Sequence, residues 1–329
     1  MFWRNISLAS ATEYPDLKLL VAGGAGFIGS HLCAELIARG HDLVVADNLS
    51  LGRREYVAEF EAPGKLIFHH IELTDTAAVL TLFARYRFDA VFHWAANSDI
   101  ARSHDDPMTD FGNTLGTTYA LLEGMRVQGV KQIIFASTSA IYGEAQGQLA
   151  EDHGPLLPIS HYGAAKLASE GFISSYAENY GLRAWIARFP NVVGERLTHG
   201  AIYDFVHKLR ADPSRLEVLG DGTQTKPYLY AGDLVDAILT GWDHFEDRVN
   251  LFNIGGPTRA NVRRIAEIVV EEFGSNARIE YTGGDRGWVG DVPSVDYNVE
   301  RIASLGWSPR HDSEAAIRIA ARWMVASGS

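Results

Sequence analysis

The stretch Val21-Ala22-Gly23-Gly24-Ala25-Gly26-Phe27-Ile28-Gly29 decides the fold. It reads as G-x-x-G-x-x-G on Gly23, Gly26 and Gly29, or as G-x-G-x-x-G on Gly24, Gly26 and Gly29. The apolar run Leu17–Ala22 before it has the pattern of a buried strand, and Phe27–Arg39 after it that of a helix. Glycines between a strand and a helix let the backbone turn tightly and bring a pyrophosphate against the helix N-terminus. A plain glycine turn is the alternative, and the flanking strand and helix favour phosphate cradling. Asp47 closes the next apolar run, about 20 residues past the glycines, where an acid suits a ribose 2′-hydroxyl and repels a 2′-phosphate. That points to NAD. Arg53 and Arg54 follow closely and keep NADP as a minority reading, with a solvated loop as the plainer one.

Outward from this turn the first half alternates apolar runs with helical patterns. Strands are expected at Asp42–Ala46, Lys65–His69, Ala90–Trp94, Gln132–Ala136 and Arg183–Phe189. Helices are expected from Thr76 to Tyr86, at Asn113–Val127 and at Tyr162–Tyr180. Continuous apolar strands separated by helices imply a parallel sheet covered on both faces. The fold class is therefore α/β, a doubly wound Rossmann-type sheet. After Pro190 the segments shorten: Leu216–Leu219, Tyr228–Tyr230, Leu251–Ile254 and Arg278–Tyr281, with helices at Ile202–Arg210, Asp233–Trp242, Val262–Phe273 and Ser313–Met324. This suggests a smaller α+β C-terminal lobe. The expected division is an extension over 1–16, a dinucleotide-binding domain over 17–190, and mainly a substrate lobe over 191–329.

The chain has 329 residues, 47% of them hydrophobic and 21% charged, ordinary values for a globular protein with ample core. A formal net charge of −12 argues against a general nucleic-acid binder, whose footprint is basic. The single cysteine, Cys33, allows no intrachain disulfide and sits in an apolar helical pattern. The histidines show no ligand spacing, and adjacent His69 and His70 suit opposite strand faces, so no metal is expected. No apolar run reaches membrane-spanning length, and residues 1–16 lack a signal-peptide core. A cytoplasmic protein is the default expectation.

Tyr162 and Lys166 stand four apart in Tyr162-Gly-Ala-Ala-Lys166, one face of a helix. A phenol has an ordinary pKa of about 10, and a neighbouring cation favours its phenolate. Such a pair makes a base. The bland reading is an amphipathic helix with a solvated lysine.

With these segments in order, the chain resembles the extended short-chain dehydrogenase/reductase family, in particular nucleotide-sugar 4-epimerases of the UDP-glucose (UDP-galactose) type. The segments are Gly23–Gly29, Asp47-Asn-Leu-Ser50, His93-Trp-Ala-Ala96, Asn113-x-x-Gly-Thr117, Ser137-Thr-Ser-Ala-Ile-Tyr-Gly143, Tyr162–Lys166, Arg188-Phe-Pro-Asn-Val-Val-Gly194, Leu219-Gly-Asp-Gly-Thr223 and Gly290-Asp-Val-Pro293. The resemblance implies that Tyr162 is the catalytic base, Lys166 its partner, and Thr138 the hydroxyl that hydrogen-bonds the reacting sugar oxygen. It implies NAD contacts from Gly23, Gly26, Phe27, Ile28, Gly29, Asp47 and Asn48. It adds Glu72, Leu73, Ala95, Ala96, Asn113, Ser137 and Phe189, with Tyr162 and Lys166 reaching the cofactor too. Glu72 stands where the family commonly has the shorter aspartate. For the sugar nucleotide it implies Thr138, Ser139, Tyr162, Asn191, Leu219, Lys226 and Arg286. The family commonly places arginine at the Lys226 position, and a lysine offers no bidentate fork to phosphate. A homodimer built on Asn113–Val127 and Tyr162–Tyr180 is a further implication.

Related dehydratases and decarboxylases carry an acid after the threonine, where this chain has Ser139 and Ala140. A methyl group cannot move a proton, so simple epimerisation is the expectation. UDP-glucose/UDP-galactose ranks first, with the N-acetyl and glucuronate series as alternatives. Small Val295 would leave room for an N-acetyl group. Arg196, with the Thr138, Ser137 and Ser139 hydroxyls, could meet a C6 carboxylate or be structural. Trp94 reads as strand packing near the cofactor, Trp288 as a cover for the nucleotide or a brace for its loop, and Ser98 and Arg102 as substrate contacts or a solvated loop, while Asp233 and Asp236 read as an exposed helix start. Two rivals remain: a non-catalytic NAD-binding protein, against which Tyr162, Lys166 and Thr138 all stand, and a dehydrogenase that releases its reduced cofactor.

Overall fold

The glycine-rich turn joins β1 (Lys18–Ala22) to α1 (Phe27–Ala38) at the centre of a seven-stranded sheet. The other strands are β2 (Asp42–Asp47), β3 (Leu66–His70), β4 (Ala90–His93), β5 (Gln132–Ala136), β6 (Arg183–Arg188) and β7 (Val249–Asn253). Their order is β7-β6-β5-β4-β1-β2-β3, and every pairing is parallel. This computed structural model describes residues 16–61, 64–98, 103, 105–284 and 296–328.

The side-chain period of two explains why the strands look apolar throughout. Leu19 and Val21 of β1 join Leu43 and Val45 of β2 and Phe92 of β4 in one core. Leu20 and Ala22 join Val44, Ala46 and Val91 in the core on the opposite face. The second face is covered by α2 (Thr76–Arg85), α3 (Thr117–Gln128) and α4 (His161–Tyr180). Burying each large apolar side chain contributes roughly 1.5–3 kcal/mol, which is why both faces must be covered. Ser160 starts α4: its Oγ accepts from the Gly163 amide at 3.1 Å and fixes where Tyr162 begins its turn.

The smaller lobe has its own core on α5 (Ala201–Ala211), α7 (Val262–Phe273) and α8 (Ser313–Ser327). Short strand pairs brace it, among them Arg215–Val218 with Arg278–Tyr281 and Thr225–Lys226 with Ala260–Asn261.

Three local expectations are corrected. Leu251–Ile254 was expected in the smaller lobe, yet Val249–Asn253 is the last strand of the main sheet, paired with β6. The preceding helix α6 (Ala231–His244) is the crossover that returns the chain, and its Leu234, Val235 and Ile238 enter the first sheet core. Asp233 was read as exposed. It is 1% exposed, accepting from the His311 backbone amide at 3.0 Å and lying 3.0 Å from His311 Nδ1. The expected helix Asn113–Val127 begins instead as a wide π-wound turn, Phe111–Gly116, before α3. Gly112 and Gly116 weaken regular helix there, and the Thr114 hydroxyl accepts from the Asn97 amide at 3.2 Å.

Candidate active site

In a doubly wound sheet the loops part at the strand C-terminal ends where the order reverses, here between β1 and β4. A cleft of about 780 Å³ opens there. Gly23, at φ +79°, and Gly29 shape its floor. A Cβ on Gly23 would lie 2.5 Å from the Ala95 amide nitrogen, and one on Gly29 2.2 Å from the Gly23 carbonyl. No side chain fits either position, so the turn is a cradle for a group that meets backbone.

Gly26, Phe27 and Ile28 line the same wall, with Asp47, Asn48, Glu72 and Leu73 beyond them. Asp47 is 6% exposed, and its oxygens accept from the Ala25 and Leu49 amides at 3.0 and 2.8 Å. Burial pushes its carboxyl above the usual range, and those two amides pull it back. A carboxylate so held keeps lone pairs for a ribose diol. Glu72 Oε2 accepts from Asn48 Nδ2 at 2.9 Å, so these two side chains orient one another. Arg53 and Arg54 do not line the cleft: Arg54 pairs with Glu61 at 2.9 Å and Arg53 reaches Glu55 at 3.9 Å. Neither supplies the cation that the NADP reading needs. Ala95, Ala96, Asn113 and Phe189 complete this half of the lining. The donor and acceptor set fits a dinucleotide with a free 2′-hydroxyl.

Tyr162, Lys166 and Thr138 meet in the middle of the cleft. Thr138 caps the tight helical turn Ser139–Tyr142, its Oγ1 accepting from the Ala140 amide at 3.1 Å. Its hydroxyl also acts on Tyr162, where it favours the phenolate. Lys166 Nζ lies 5.9 Å from the Tyr162 ring centre, over the Phe135 ring at 4.7 Å, and donates to the Ala136 carbonyl at 2.6 Å. Lys166 was expected to lower the tyrosine pKa by its charge. In the protein alone burial wins instead: it pushes Tyr162 up to about 12, Thr138 pulling the other way, and it brings Lys166 down to about 7. Two buried titratable groups of this kind in one cleft form an arrangement that can move protons.

Ser137 lines the cleft, but its hydroxyl donates to Glu170 Oε1. Glu170 also receives Arg188 through two bonds of 3.0 and 2.7 Å. Arg188 goes on to Tyr142, and Tyr142 to Asn253 of β7 at 2.8 Å. This buried network fixes the strand end that carries Thr138.

Of the residues expected at the sugar nucleotide, Ser139, Asn191, Leu219 and Lys226 line the far half. Arg286, with Arg102, Trp288 and Val295, lies outside the described residues. Trp94 and Ser98 line the cleft; Arg196 does not, its guanidinium held by Glu59 at 3.0 Å. Sequence reasoning missed Leu197–Phe205, where α5 begins at the cleft, and Tyr297, which lines the cleft with Ser139. Gly200 before an amphipathic run was the only signal for the first, and Tyr297 had none. Among the described residues no group of His, Cys, Asp or Glu is placed to hold a metal ion, and no helix is long and apolar enough to cross a membrane.

Residues 19–255 match the model of the NAD dependent epimerase/dehydratase family. A UDP-glucose 4-epimerase of Lacticaseibacillus casei is 30% identical, over 93% of this chain and 96% of its own. UDP-arabinose 4-epimerase 1 of Arabidopsis thaliana is 30% identical, over 96% and 81%. A crystal structure of a UDP-galactose 4-epimerase superposes with a TM-score of 0.84 and 37% identity, covering 94% of this chain and 99% of that one. The chain belongs to the NAD dependent epimerase/dehydratase family and is an isomerase of the nucleotide-sugar epimerase kind, with NAD as its cofactor.

Proposed function

We propose that this protein inverts C4 of a UDP-hexose through a 4-keto intermediate, with UDP-glucose and UDP-galactose the first-ranked pair. The observation that carries this is the meeting of Thr138, Tyr162 and buried Lys166 in one cleft, with Ala140 lining it beside them. Bound NAD supplies the acceptor, and then the donor, of the C4 hydrogen.

The protein does the rest. Tyr162 in its phenolate form takes the proton of the C4 hydroxyl, the C4–H bond breaks and the C–O bond becomes a carbonyl. Thr138 holds that oxygen and stabilises charge on it. Lys166 supplies the positive charge that opposes the effect of burial on Tyr162. The sugar then presents its other face, and Tyr162 returns the proton to the oxygen. Ala140 offers no second acid, so neither water nor carbon dioxide is eliminated.

On this reading the Gly23–Gly29 turn, Asp47, Asn48, Glu72, Leu73, Ala95, Ala96, Asn113, Ser137 and Phe189 hold NAD. Ser139, Asn191, Leu219, Lys226 and Arg286 serve the sugar nucleotide, Lys226 at its diphosphate. The side chain of Arg196 is engaged by Glu59 outside the cleft, which favours a neutral hexose over a glucuronate. Tyr119 of α3 and Phe172 of α4 pack edge to face at 6.2 Å and stay exposed, with Tyr180 and Val127 nearby in sequence. That apolar face is where a second copy would dock to make a homodimer. Sedimentation as a monomer at micromolar concentration would rule the dimer out.

The function is tested with UDP-glucose, UDP-N-acetylglucosamine and UDP-glucuronate, reading inversion at C4 by proton NMR. Inversion of UDP-glucose without added cofactor is expected. Failure to invert any of them would overturn the proposal.

A further inference from the structure

Asp110 ends a short helical turn, Met108–Asp110, that runs into the wide turn Phe111–Gly116. Its side chain is 1% exposed. Oδ1 accepts from Asn97 Nδ2 at 3.0 Å, and Asn97 lines the cleft. Oδ2 is buried with no hydrogen-bond partner among the described residues. An aspartate is rarely buried unless paired, and an unmatched buried carboxylate oxygen is costly. A π-wound stretch beside a cleft is itself a frequent mark of a functional site.

The two turns pack on α4, the helix of Tyr162 and Lys166. Lys166 is 3% exposed, and no carboxylate lies within salt-bridge distance of it among the described residues. Its surroundings can be taken element by element. From its own helix, Tyr162 is neutral and Glu170 already binds Arg188 and Ser137. From β4, His93 is held neutral by burial, the Lys166 charge adding to the effect. From the strand end after β5 come the Ala136 carbonyl and the Thr138 hydroxyl. Among the described residues Asp110, from the turn packed on α4, is the one acid whose charge reaches both Lys166 and Tyr162, and it has an oxygen to spare. A buried ammonium without an ion-pair partner among the described residues and a buried carboxylate without one thus belong to elements packed on one another.

We infer that Asp110 is a positioning residue, the buried counter-charge of the Tyr162–Lys166 pair. Its carboxylate keeps the lysine cationic in a place where burial favours the neutral amine, and it opposes premature ionisation of the tyrosine. Asn97, fixed through its amide to Thr114 and through its side chain to Ser103 and Asp110, holds the carboxylate in place. The inference rests on Tyr162 and Lys166 being the acid–base pair of the proposed function.

The test is NMR of the full chain carrying 13C at lysine Cε, with Lys166 assigned by its loss in Lys166→Met. Lys166 sits at about 7, within easy reach of a titration. Removing a neighbouring negative charge disfavours the ammonium, so Asp110→Asn should move the Lys166 midpoint down by about one pH unit. Asp110→Ser, smaller and also neutral, should move it the same way, and Asp110→Glu should leave it near the wild-type value. The pH profile of epimerisation should move to lower pH in both neutral variants. A Lys166 midpoint unchanged or raised in a folded neutral variant overturns the inference, as does a uniformly lowered rate with an unmoved profile. The lysine titration needs no sugar, so it stands or falls separately from the choice of reaction.

Discussion

The two walls of the cleft are built in different ways. The cofactor wall consists of strand ends and the turns attached to them. Gly23 N donates to the Ala46 carbonyl and Trp94 N to the Ala22 carbonyl, both at 2.8 Å, so two loops are tied to the sheet at their first residue. Recognition there falls to backbone, glycine and a buried aspartate. The sugar wall comes from two-residue and three-residue strands and from loops, with Asn191 exposed and Leu219 55% exposed. The first wall can hold one ligand tightly through many turnovers. The second can change its contacts while a sugar turns over within it. On the proposed function, cofactor retention belongs to the sheet and substrate choice to the loops, a division that a change at either wall can break.

The largest effect is expected between the walls. Tyr162→Phe should lower the epimerisation rate by on the order of 10²–10⁴-fold, as loss of a positioned acid–base group does. The NAD content of the purified protein, read by absorbance after denaturation, should stay at the wild-type level. Loss of cofactor together with rate would mean that the two walls are not separable.

Next comes the buried support of the cofactor wall. Arg188 and Glu170 are 4% and 7% exposed, and Glu170→Ala leaves a buried guanidinium unpaired. About 3–5 kcal/mol of stability should be lost, measured by urea unfolding. A loss below about 1 kcal/mol, the range of an exposed pair, would show that this network does not brace the sheet end.

Gly29→Ala sets a methyl carbon 2.2 Å from the Gly23 carbonyl. Overpacking of this kind costs about 1–3 kcal/mol. Here it should appear as a protein purified with little NAD but with its helix and sheet content intact by circular dichroism. Full NAD occupancy would remove the cradle from the account.

The smallest effect belongs to the sugar wall. Lys226→Ala should raise KM for the UDP-sugar roughly tenfold, about 1.4 kcal/mol. NAD content should not change.

Much of this architecture is legible in the sequence because its signals are local. The glycine turn, the apolar runs of β1 to β5 and the Tyr162–Lys166 spacing each fit within one element. What escaped depends on partners far along the chain. Val249–Asn253 mixes asparagine with apolar residues, and only its pairing with Arg183–Arg188 makes it the seventh strand. Asp233 looks like a helix-start acid until His311, 78 positions on, is folded against it. Leu197–Phe205 reaches the cleft through a helix start capped by no side chain, so no capping residue announced it. The effect of burial on Tyr162 is equally invisible in a spacing of four, since desolvation belongs to the packed cleft.

The proposed chemistry requires one C4 hydrogen to leave and return within a single closed turnover. It is tested with UDP-glucose carrying deuterium at C4, incubated with the purified protein and no added NAD. UDP-galactose with the deuterium still at C4, and no exchange with solvent, is the expected result. Loss of the label to water, or a product formed only in step with added NAD, would contradict it.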